Sequence, residues 1–200
     1  MTEVIRKRKD RAKAWAGFTL VELLLVIGIM VLLLSVVVPS VSQVGDAYNL
    51  AKEGQAMNDR ITLARQLAMS KNCDVELRFY ASKTPEGMTT WSTQLWQFNS
   101  ASGTYKEISA KSPVSHSIVV VDNDALSPLL SKLKSGANPD KASEVWNALR
   151  FRPNGRTAAT LDNSNNFITL QLRRDEGNAK ANYYTLQINQ LSGQVKTYRP

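Results

Sequence analysis

Glu22 is the residue whose surroundings most constrain its chemistry. After it the next ionisable side chain is Asp46, so 23 consecutive residues carry no charge. A carboxylate at the head of such a run costs about 2.5–3.5 kcal/mol if it enters a membrane, and calls for a partner. One becomes available if the chain is cut after Gly17. The new terminus is then the amine of Phe18, four residues before Glu22, and amine and carboxylate of neighbouring subunits can neutralise one another in a helical bundle.

Other reactive groups are sparse. Cys73 is the sole cysteine and His116 the sole histidine, which leaves no material for an internal disulfide, a Cys/His metal site or a catalytic triad. Ser, Asp and Glu occur without a nucleophile–base–orienter pattern, and no glycine loop is built to cradle phosphate. The expectation is a protein that is not an enzyme and holds no cofactor and no metal. Cys73 reads as a small apolar residue.

A helix rises about 1.5 Å per residue and a hydrocarbon core is about 30 Å thick, so Leu23–Val44 is long enough to span a bilayer. Arg6, Lys7, Arg8, Lys9, Arg11 and Lys13 precede it, against Glu3 and Asp10. That basic flank predicts a cytoplasmic N-terminus, with the rest of the chain on the other side. The net charge of +8 includes the excess of this leader, so the chain after Gly17 is about +4. A secretory signal has an apolar region of only about 7–15 residues ending at a small-residue site. No such site follows Pro39-Ser40-Val41-Ser42. A plain membrane anchor leaves Glu22 without a purpose.

Gly17-Phe18-Thr19-Leu20-Val21-Glu22, with its basic leader and apolar run, resembles the processing site of type IV pilins and type II secretion pseudopilins. The resemblance implies that a prepilin peptidase removes residues 1–17 and N-methylates Phe18, and that Glu22 sets subunit register. It places Pro39 where many pilins have a helix-kinking proline. Partners implied are other pseudopilins or minor pilins, an inner-membrane assembly platform and the lipid bilayer, with a periplasmic head. Many major pilins close a C-terminal disulfide loop, which this chain cannot do.

Beyond the membrane segment (18–44) an amphipathic continuation (45–71) is expected. Ala47, Leu50, Ala51, Gly54, Met57, Ile61, Ala64 and Ala68 recur at helical spacing, with Gly45 and Gly54 as weak points. The fold class expected is α+β: a long pilin-like helix packed on an antiparallel β head over 72–200. Strands are expected at Asp74–Tyr80, Thr89–Phe98, Thr104–Ile108, Ser117–Val121, Leu149–Arg152, Phe167–Arg173, Tyr183–Ile188 and Val195–Tyr198. Trp91 and Trp96, five apart, should face opposite sides of their strand. Within 122–148, Leu126, Leu129, Leu130 and Leu133, then Ala142, Val145, Trp146 and Leu149, have helical spacing and predict two short helices.

The head carries weaker resemblances. Leu63-Ala64-Arg65-Gln66-Leu67-Ala68, Phe151-Arg152-Pro153-Asn154-Gly155-Arg156 and Leu191-Ser192-Gly193-Gln194-Val195 are similar to segments of the H-type minor pseudopilins and their FimT relatives. Both glycines suit turns that need φ > 0. Val75–Tyr80 and Tyr198-Arg199-Pro200 are similar to the prepilin-like Verru_Chthon cassette protein D group.

These features favour a non-catalytic minor pseudopilin of a type II secretion-like filament. The alternative is a FimT-type minor pilin that binds DNA. Residues 150–200 carry a net +5, and Arg173, Arg174, Lys196 and Arg199 are the candidate phosphate contacts. Scattered cations also guard strand edges, and Gln194 and Lys196 stand where FimT-type heads have an Arg-rich tail, so DNA is the less favoured partner.

Overall fold

A computed structural model describes residues 18–138, 141–162 and 164–199, with the side chains of 36–44 and 137–143 excepted. Gly17 and the leader lie outside the described residues, as does the side chain of Pro39 and with it the expected kink. The chain divides into two units, Met1–Gln43 and Val44–Pro200. Helix α1 covers Leu20–Ser70 and so contributes to both.

In the first unit every large apolar side chain from Phe18 to Leu34 is exposed. The expected span Leu23–Val44 includes side chains outside the described set. Among the described residues no helix is long and apolar enough to cross a membrane.

The second unit is α+β. From Leu50 onward α1 is amphipathic, and Leu50, Met57, Ile61, Ala64 and Ala68 are buried at spacings of three, four and seven. Ala47, expected on this stripe, is exposed. Gly54 is a packing position. A Cβ there would run into the ring of Tyr184, so the glycine lets helix and sheet approach closely.

Ten strands follow: β1 (Val75–Lys83), β2 (Thr89–Asn99), β3 (Thr104–Glu107), β4 (Ser112–Pro113), β5 (Ile118–Val120), β6 (Lys134–Asn138), β7 (Lys141–Phe151), β8 (Phe167–Leu172), β9 (Tyr183–Ile188) and β10 (Val195–Tyr198). They form two antiparallel sheets. The larger runs β3-β2-β1-β7-β6 with β4 also on β2, and the smaller runs β10-β9-β8-β5. Val75, Leu77 and Phe79 of β1 face the core with Leu149 and Phe151 of β7. Ile168, Leu170, Leu186 and Ile188 close it from the smaller sheet. Each fully buried side chain of this size stabilises by about 1.5–3 kcal/mol.

Between Asp122 and Ala148 the expectation is half corrected. One short helix forms, α2 (Pro128–Lys132), and buries Leu129 and Leu130. The second expected helix, at Ala142–Leu149, is strand β7. Its residues carry two periods at once, because Leu149 and Phe151 also alternate with Ala148 and Arg150. Short apolar runs are ambiguous in this way. Pairing decides it, since β7 sits beside β1 with Val75 opposite Phe151 and Ser82 opposite Glu144.

Candidate functional site

Among the described residues, three places bring functional side chains together. The first is the start of α1. Thr19 N–H donates to Glu22 Oε2 at 2.9 Å, its hydroxyl donates to the same oxygen at 2.8 Å, and Glu22 N–H donates back to Thr19 Oγ1 at 3.3 Å. This is a capping box, with Thr19 as the cap and Glu22 three residues on. The Thr-x-x-Glu spacing is the sequence signal for it, and it adds a capping role to the charge pairing and register expected of Glu22. Glu22 Oε1 makes no hydrogen bond among the described residues, so one oxygen of the carboxylate stays open to a second partner. Phe18, whose amine is the expected partner, is 79% exposed.

The second place is the turn assembly at the end of the smaller sheet. Arg65 on α1 donates from Nε to Ser192 O at 2.7 Å. Gly155 and Gly193 both have positive φ, +78° and +64°, as their turns require. A Cβ on Gly193 would strike Gly155 O and come within 2.9 Å of Arg65 Cδ. The segments 63–68, 151–156 and 191–195, far apart in sequence, thus meet at one point. Beside it lies a hollow of about 530 Å3, lined by α1 and by the β9–β10 hairpin.

The third is the outer face of the larger sheet, and it was not legible in the sequence. Glu76 is 1% exposed and carries two ion pairs, to Arg78 at 2.9 Å and to Arg150 at 2.8 Å. The Arg78 guanidinium lies 4.1 Å from the Trp96 ring centre and 4.2 Å from that of Trp146, between two indoles. Arg150 lies 5.1 Å from the Tyr105 ring. Burial, followed by the charge of Glu76, pushes the Tyr105 phenol up to about 12. Nearby, Glu144 accepts from Lys111 at 2.7 Å and from Ser82 at 3.1 Å, and Lys111 sits 4.0 Å from the Tyr80 ring. The face is a clasp of ions and rings. Trp91 is buried in the core and Trp96 stands on this opposite face, as the five-residue spacing predicts.

Cys73 is free and partly buried against the core, and His116 is exposed. Among the described residues no group of His, Cys, Asp and Glu could hold a metal ion.

The four candidate phosphate contacts are not presented as one free patch. Arg173 Nε donates to His116 O at 2.8 Å. Arg174 pairs with Asp46 at 2.6 Å and with Asp175 at 3.6 Å. Lys196 lines the hollow beside the turn assembly, while Arg199 lines a different one with Ala47, Leu50 and Tyr184.

No protein-family profile and no curated protein matches the chain. Among solved structures, the minor pseudopilin EpsH from the type 2 secretion system of Vibrio cholerae is similar at a TM-score of 0.44 and 9% identity, covering 76% of this chain and 98% of that one.

Proposed function

We propose that this chain is a non-catalytic minor pseudopilin, assembled with other pseudopilins into a type II secretion-like periplasmic filament. The observation that carries the reading is the segment 18–34. Its large apolar side chains are exposed on every side of α1, directly after the Gly17-Phe18 step and around Glu22. A helix apolar all round needs a bilayer or other helices to cover it. In this reading a prepilin peptidase cuts between Gly17 and Phe18 and methylates the Phe18 amine. The inner membrane holds the segment until an assembly platform feeds it into the filament, and there the open oxygen of Glu22 meets a Phe18 amine of a neighbouring subunit. The head, facing the periplasm, contributes a surface and no reaction.

The test is the intact mass and N-terminal sequence of the chain co-expressed with a prepilin peptidase, beside Gly17→Ala. The expected product begins at methylated Phe18 and is lost in the variant. An uncut chain in both overturns the reading.

A further inference from the structure

The hollow beside the turn assembly has an unusual lining. Its helical wall is Asn58, Thr62 and Arg65, and its other wall includes Gln187, Gln194 and Lys196. Among the described residues lining it, all but Gly193 and Val195 have polar side chains, two are cationic and none is acidic. Arg65 is held in place by its bond to Ser192 O. Lys196 is exposed and has no ion pair among the described residues. Val195 and Lys196 of the lining belong to strand β10, which is an edge of the smaller sheet and, among the described residues, pairs with β9 alone. In an antiparallel ladder alternate residues turn both backbone groups to the partner strand, so the others on an edge strand leave theirs unpaired.

We propose that this groove binds an extended acidic peptide segment, which adds to the free edge of β10 as a further strand and sets its carboxylates against Lys196 and Arg65. The backbone edge supplies main-chain hydrogen bonds, and the amides of Asn58 and Gln194 can donate and accept, while Gln187 is already engaged with Asn166 and Tyr198. The two cations select the charge of the segment. Sugars are a poorer fit, because the described residues lining the hollow include no aromatic ring on which a sugar face could stack. The proposal does not rest on the pseudopilin reading, and the binding is measured on the uncut full chain, so either can fail alone.

The experiment is an amide-resolved NMR titration of the full-length chain in detergent micelles. The probe is a short end-blocked peptide alternating glutamate and valine. Comparators are the same peptide with lysine for glutamate, a backbone N-methylated version, free glutamate and a DNA duplex. The glutamate peptide is expected to shift amides of β10, of Gln187 and of Asn58–Arg65, and the lysine and N-methylated peptides are not. Lys196→Glu should weaken binding about fivefold or more. Asn58→Asp, on the opposite wall, should weaken it in the same direction while the remaining spectrum stays in place. No shift on β10 at millimolar peptide overturns the proposal. So does equal binding of the N-methylated peptide, since strand pairing is then absent, or equal response to free glutamate, which leaves a simple anion site. Shifts at Lys196 and Arg199 with DNA but not with peptide overturn it in favour of nucleic acid.

Discussion

Residues 18–34 and the outer face of the larger sheet invert one another. The first is an apolar surface left open, and the second gathers partly exposed cations around carboxylates closed from water. Leu32 on the segment is 70% exposed, whereas Glu76 on the sheet is 1% exposed. Neither pattern follows from residue type, since Leu is ordinarily buried and Glu ordinarily solvated. The segment leaves its apolar surface uncovered among the described residues. The sheet face contains its own covering, because rings and guanidinium groups enclose the carboxylate they neutralise. Stability in the head is therefore internal, and in the segment it depends on surroundings.

The contrast can be broken most sharply at Glu76. Glu76→Ala leaves Arg78 and Arg150 without their shared partner and should destabilise the head by about 3–5 kcal/mol, read by urea unfolding of the full chain in micelles. An unchanged midpoint would mean that the indoles alone hold the arginines. Next is Gly193→Ala, which combines a strained positive φ with a collision against Gly155 O, and should cost about 2 kcal/mol in the same assay. Wild-type stability there would show that the turn assembly has slack.

High pH probes the clasp without mutation. Tyr105 is held protonated up to about 12, so the stability tied to this group is fully present below the ordinary phenol range near 10 and is lost as pH climbs from there through 12. Absorbance titration should reveal one late tyrosine, absent in Tyr105→Phe. If all tyrosines titrate together near 10, the phenol is not enclosed. The smallest effect is expected at Leu32→Ser, which should leave the unfolding free energy of the head, read in urea, within about 0.5 kcal/mol of wild type. A large loss there would erase the distinction between the two regions.

Wherever period and turn chemistry are local, the sequence alone determined the structure. Alternation in Val75–Tyr80 and Phe167–Leu172, the glycine turns at Gly155 and Gly193, and the stripe from Leu50 to Ala68 all stand in the fold as the residues predict. The same holds for the segment after Glu22, whose apolar character is a property of composition. Partnership across distance was decided by tertiary structure. Residues 142–149 fit a helix or a strand equally, and β7 exists because β1 needed a neighbour. Gly54 read as a weak point in a helix until Tyr184, from 130 positions on, was packed against it. Glu76, Arg78 and Arg150 look like ordinary alternating surface charges along their strands. They become an enclosed ion cluster only when strand pairing puts Glu76 opposite Arg150 and Trp96, because an ion's environment is set by what lies beside it in space and its sequence neighbours do not encode that.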